Sequence, residues 1–113
     1  IFDVCLLPLI TDHPFNIHCS PLKMYEYLAT GKPIVSTDIP HVRRFSSVIR
    51  IGKNAEDIEA HIKECLKENI NLKEQRMKVA RENTWESRVT EMMSIIKDEI
   101  ENRNKTQGIS KVR

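Results

Sequence analysis

What the chain lacks narrows its class before any motif is considered. Its three cysteines, Cys5, Cys19 and Cys65, are odd in number and widely spaced, with no C-x-x-C pair. Neither a disulfide framework nor a zinc ribbon is indicated, and a reducing compartment suits them. No apolar run approaches the length needed to cross a bilayer, and no signal-peptide pattern opens the sequence. A cytoplasmic location is expected, with peripheral membrane contact left open. A charge excess of one sign is also missing. Eighteen basic side chains are set against 16 acidic ones spread along the chain, a net charge of +2. Nucleic-acid binding needs clustered cations, so nucleic acid is not an expected partner. The sequence has no initiating methionine and starts at Ile1-Phe2-Asp3-Val4, already inside an apolar strand. A fragment is expected, 113 residues being enough for one modest core.

The most informative stretch runs from Ser20 to Val35: helix start, helix, helix stop and buried strand within 16 residues. Ser20 can accept from an unpaired first-turn N–H, and Pro21 suits the first helical position. Leu22, Tyr25, Leu28 and Ala29 recur at helical spacing and are expected to face a core, leaving Lys23, Glu26, Tyr27 and Thr30 on another arc. Gly31 can take the left-handed conformation that ends a helix, and Pro33 cannot continue one, so Ile34-Val35-Ser36-Thr37 enters a strand. An anion near Ser20 would meet free amides, the positive end of a helix dipole and the Lys23 ammonium. Glu26, one turn deeper, can only accept hydrogen bonds when ionised and therefore suits vicinal hydroxyls such as those of a ribose. Phosphate and sugar together suggest a nucleotide. The alternative is an exposed i,i+3 pair of Lys23 and Glu26 worth a few tenths of a kcal/mol.

Asp3-Val4-Cys5-Leu6-Leu7-Pro8-Leu9 followed by S-P-L-K-M-Y-E-Y-L-A-T-G-K-P-I-V-S-T-D resembles the nucleotide-sugar-binding, C-terminal half of a glycosyltransferase of the two-Rossmann-domain B fold, in the group 1 or family 4 style. Many such enzymes carry two glutamates separated by seven residues, the second on the donor ribose and the first near the transferred sugar. Glu26 matches the second. His18 stands at the place of the first, and Cys19 where glycine is usual. Other members carry a serine-X-X-lysine at this helix start, and by that resemblance Ser20 and Lys23 contact the donor diphosphate. The resemblance covers residues 2 to 40, with a weaker likeness onward to Thr84-Trp85-Glu86, and implies a nucleotide-sugar site of His18, Ser20, Pro21, Leu22, Lys23 and Glu26. It implies a UDP- or GDP-sugar donor, no cofactor, and a whole protein that transfers a hexose to a glycan or lipid-linked acceptor in polysaccharide biosynthesis. An acceptor-binding N-terminal domain would lie outside these residues, so the fragment alone is expected to be inactive. There is no D-x-D, the carboxylate pair with which enzymes of the other main fold hold a diphosphate through a metal. A nucleotide- or phosphate-binding module of another α/β family, and a ligand-free α/β interaction domain, remain the alternatives. The first of these would more often show a glycine-rich first turn.

The fold class expected is α/β, a partial Rossmann-like parallel sheet of about three strands with flanking helices and a long C-terminal helix. Strands are expected at 2–9, 33–38 and 48–52, with helices at 21–30, from a cap near Asn54 to about Glu68, and from Leu72 to Glu82. Asn69 and Asn71 should interrupt the helical run. Ile58, Ile62, Cys65 and Leu66 should form an inward stripe. The last helix resumes at Trp85, with Trp85, Met92 and Ile96 expected to lie against the sheet. Its stripe, uncovered if a domain is missing, would invite self-association. Residues 1–101 are expected to be the folded part of the donor domain and 102–113 a polar, disordered tail. The loop from Ile10 to Cys19 carries Asp12, His13, Asn16 and His18 at the carboxyl end of a strand, the place for donor-sugar contacts. No metal is expected there, since His13, His18 and Asp12 lack a third well-spaced ligand. Asp38-Ile39-Pro40 reads as a turn, Arg43 and Arg44 as solvated, and Cys19 as a space-filler.

Overall fold

A computed structural model describes residues 3–68 and 71–107. The chain divides into two compact units, Ile1–Arg81 and Glu82–Arg113. The first is α/β, with three parallel strands, β1 (Cys5–Leu7), β2 (Ile34–Thr37) and β3 (Arg50–Gly52), in the order β1-β2-β3. Cys5 stands opposite Ile34, and Val35 opposite Arg50. Parallel neighbours need crossovers. Two short helices, α1 (Pro14–Ile17) and α3 (Pro40–Arg43), accompany α2 (Leu22–Thr30) in the connections, and α4 (Ala55–Leu66) and α5 (Asn71–Glu82) follow.

Alternation of side chains along the strands sorts the helices onto faces. Cys5, Leu7 and Ile34 join Met24 and Leu28 of α2 and Val42 of α3 in one buried cluster. The opposite face carries Arg50 and Gly52, and α4 covers it: Ile58 presses on Gly52, where a Cβ would stand 2.6 Å from Ile58 Cδ1. Arg50 Nη1 also donates to Glu64 Oε2 at 2.6 Å. Leu6, on that same face of β1, stays 43% exposed.

Several local expectations shift. Pro21, not Ser20, is the N-cap of α2, and Leu22 opens the helix. The inward stripe is Pro21, Met24 and Leu28 with Tyr25 half-buried, while Leu22 and Ala29 are exposed. Both sets obey helical spacing, and burial of the fully covered Met24 and Leu28, worth about 1.5–3 kcal/mol each, selects the phase. Gly31 ends α2 at φ 74°, as its position requires. Asn54 caps α4 by accepting from the Asp57 amide at 2.8 Å, and Asp57 Oδ2 accepts in return from the Lys53 amide at 3.1 Å. Cys65 is buried beneath α4, but Leu66 faces solvent. The loop after β1 contains α1, capped by His13 Nδ1 accepting from the Phe15 amide, and α3 was likewise unexpected. Residues 48 and 49 precede β3 rather than belonging to it. Strand residues expected before Asp3, and the break at Asn69, fall outside the described residues.

Arg76 of α5 ties the amino edge of the sheet together. It is 2% exposed, donating from Nε to the Val48 carbonyl at 3.0 Å and from Nη1 to the Gly31 carbonyl at 3.2 Å. Nη1 and Nη2 also donate to the Glu68 carboxylate, at 2.7 and 2.5 Å.

The second unit is the helix α6 (Trp85–Thr106), capped by Thr84 Oγ1 accepting from the Ser87 amide. Trp85, Met92 and Ile96, expected to be covered, are exposed, as are Val89, Met93 and Ile100. The helix continues through Thr106, beyond Asn102 where a tail was expected, and residues 108–113 lie outside the described ones. No helix among the described residues is long and apolar enough to cross a membrane.

Candidate functional site

A helix joining parallel strands runs back across the sheet, so α2 begins at the edge where β1, β2 and β3 end. Open α/β sheets bind ligands at that edge. The loop that delivers the chain there is pinned at several points. Thr37 Oγ1 donates to the Leu9 carbonyl at 2.6 Å, and Asn16 Nδ2 to the Ile10 carbonyl at 2.8 Å. Asp38 accepts from Arg43 Nε at 2.6 Å, and that hydrogen bond holds its carboxyl below the usual range. The turn expected at Asp38 is thus tied to the start of α3, and Arg43 is ion-paired rather than simply solvated.

At the head of α2 the first-turn amides have no capping side chain, and no acidic residue stands in that turn. Helix α4, by contrast, has the Asn54 cap with Glu56 and Asp57, and α6 has Thr84 with Glu86. Lys23 occupies the first turn of α2 and Glu26 the next. Both are exposed on one arc, and among the described residues neither side chain has a hydrogen-bonding or ionic partner. An uncapped positive helix end with a cation beside it attracts anions.

The other sequence-predicted residues take different places. Ser20 is exposed just ahead of the cap, its Oγ 3.0 Å from Nε2 of His41. Pro21 is buried and offers a ligand only the backbone direction it imposes, its carbonyl accepting from the Met24 amide at 3.2 Å. Leu22 is 66% exposed at the rim. His18 ends α1 as its C-cap and is exposed, its amide turned back towards Asn16 and Pro14. His41, on α3, was not anticipated: no local pattern links it to Ser20 across 21 positions of sequence.

A cavity of about 730 Å³ opens at the same edge, between the loop after β1 and α4. Leu9, Ile10, Thr37, Gly52, Ile58 and Ile62 line it, with Asp12 at its rim, whereas Ser20, Lys23 and Glu26 do not. Among the described residues no group of three or more His, Cys, Asp or Glu side chains is placed to hold a metal. Burial raises the thiol pKa of Cys5 and of Cys65, so neither is an activated nucleophile.

The chain is similar to a Bacillus subtilis (strain 168) protein described as "Putative teichuronic acid biosynthesis glycosyltransferase TuaH", at 30% identity over 91 residues. The likeness covers 75% of this chain and 23% of the relative, so the chain spans about a quarter of that protein's length. It relates the chain, at a distance, to a protein described as a glycosyltransferase. No protein-family model and no solved structure matches the chain.

Proposed function

We propose that the chain is the donor-binding portion of a glycosyltransferase and takes the diphosphate of a nucleotide sugar at the head of α2. The observation that carries this is the uncapped α2 N-terminus at the carboxyl edge of the sheet, with Lys23 and Glu26 exposed one turn apart and, among the described residues, unpaired. The likeness to a protein named as a glycosyltransferase supports the same reading. In it, the α2 amides and Lys23 bind the diphosphate, Ser20 donates a further hydrogen bond, and Glu26 accepts from the ribose hydroxyls. Leu22 covers one side of the ligand, Pro21 fixes the entry angle of the helix, and His18 stands on the side of the sugar.

In the whole protein these groups favour bond cleavage because charge grows on the leaving diphosphate as the glycosidic bond breaks. Fixed amide dipoles and an ammonium stabilise that charge more than the ground state. The proposed reaction is hexose transfer from a UDP- or GDP-sugar to a glycan or lipid-linked acceptor held by a domain outside these residues.

Calorimetric titration of UDP, GDP and their sugars tests the binding step. Wild type should bind at least one of them. Glu26→Ala and Lys23→Ala should each weaken it about tenfold, the loss of one hydrogen bond or ion pair to a charged group. Equal affinity in wild type and Glu26→Ala would remove Glu26 from the site, and no binding by wild type would refute the reading.

A further inference from the structure

Two hydroxyls converge on one nitrogen beside the head of α2. Ser20 Oγ lies 3.0 Å and Tyr25 Oη 2.8 Å from Nε2 of His41. The imidazole that offers this nitrogen is held in place. Its ring meets that of Tyr25 edge-on, with centroids 6.1 Å apart and planes at 68°. Phe45 packs on it at 5.6 Å and 53°, and Tyr25 and Phe45 touch each other at 6.0 Å. The position of Nε2 is therefore set by a cluster drawn from α2, α3 and the turn after α3. Ser20 is the exposed member, and Tyr25, His41 and Phe45 are half-buried.

The protonation of that nitrogen decides what Ser20 can do. A hydroxyl has one proton to give. If Nε2 carries no proton, its one lone pair accepts from Ser20 or from Tyr25, and a Ser20 that gives its proton to the ring presents only lone pairs outward, which an anion avoids. If Nε2 carries a proton, neither hydroxyl can donate to it, Ser20 Oγ is left as an acceptor on that side, and the serine proton is free to turn towards the ligand. Polarisation along such a chain strengthens the outer donor.

We infer that His41 is a positioning residue for the anion site: it carries a proton on Nε2, donates it to Ser20, and so fixes Ser20 as a hydrogen-bond donor to a nucleoside diphosphate at the head of α2. The inference rests on the donor-binding reading above and adds to it the residue that sets the polarity of Ser20. His41 touches no ligand in this scheme and acts through Ser20 alone.

The test combines affinity with ring spectroscopy on the intact chain. Titrations of UDP, GDP and inorganic pyrophosphate are run on wild type, Ser20→Ala, His41→Phe, the double variant and His41→Gln. Phenylalanine keeps the ring packing and removes the nitrogen, whereas glutamine restores an N–H near the same place. Each single variant should lose about tenfold, the double variant should lose no more than either single one, and His41→Gln should regain most of the loss. A merely structural role would not give both non-additivity and rescue. In parallel, the 15N signals of the His41 ring in free wild type should show a protonated Nε2.

Additive losses, unchanged affinity in His41→Phe, or an unprotonated Nε2 would each overturn the inference. If wild type binds none of the three probes, the donor-binding reading falls. The ring nitrogen then still decides the role of His41: a protonated Nε2 supports the Ser20 polarity, and an unprotonated one refutes it.

Discussion

Arg76 shows how far a single side chain can depart from what its type suggests. It is almost wholly buried, yet its donors are matched by two backbone carbonyls and the Glu68 carboxylate, itself 8% exposed. A buried pair of this kind adds little over an apolar substitute, but breaking it strands a charge. Arg76→Ala should therefore cost about 3–5 kcal/mol, mostly the cost of the uncompensated Glu68, measured by chemical denaturation. Arg76→Ala combined with Glu68→Ala should lose less than Arg76→Ala alone. An equal or larger loss in the double variant would mean that the two carbonyl contacts, not the ion pair, dominate. Nothing in the sequence marks Arg76, because an arginine becomes a core residue only when distant carbonyls and a carboxylate close around it. His41 was illegible for the same reason, its partners being 16 and 21 positions away.

Helix ends were the most legible elements wherever their determinants were local. The Asn54 cap and the Gly31 stop are both set by residues within one turn, and both stand where the spacing places them. The head of α2 moved by one residue because the Ser20 hydroxyl is beside a histidine from another helix rather than an amide of its own. The spacing of α2 leaves the phase of its stripe open, since Leu22 and Met24 are both apolar, and only the position of the sheet chooses between them. Gly31 also carries a tertiary duty that composition does not reveal. A Cβ there would stand 2.5 Å from Lys73 Cγ and 3.3 Å from the Lys73 carbonyl, at a positive φ. Gly31→Ala should destabilise the first unit by more than the roughly 1 kcal/mol typical of a left-handed alanine, since α5 must also shift. Thermal unfolding followed by circular dichroism measures it, and a neutral effect would mean that Lys73 simply swings aside.

For the whole molecule, the parallel order β1-β2-β3 and the placing of helices on both faces agree with the α/β class read from continuous apolar strands. The long terminal helix α6, with its apolar residues, stands in a unit of its own. A sequence can show that a helix has an apolar stripe, but not what lies against it.

The clasp at the amino edge of the sheet has a dynamic consequence. One guanidinium donates to the carbonyl just before Lys32-Pro33 and to the carbonyl just before Ile49, so the chain segments entering β2 and β3 share a single latch. Loosening either segment frees the other. Native-state hydrogen exchange of the protected amides in Ile34–Thr37 and Arg50–Gly52 should therefore proceed through one common opening, with matched free energies that fall together when the latch is removed.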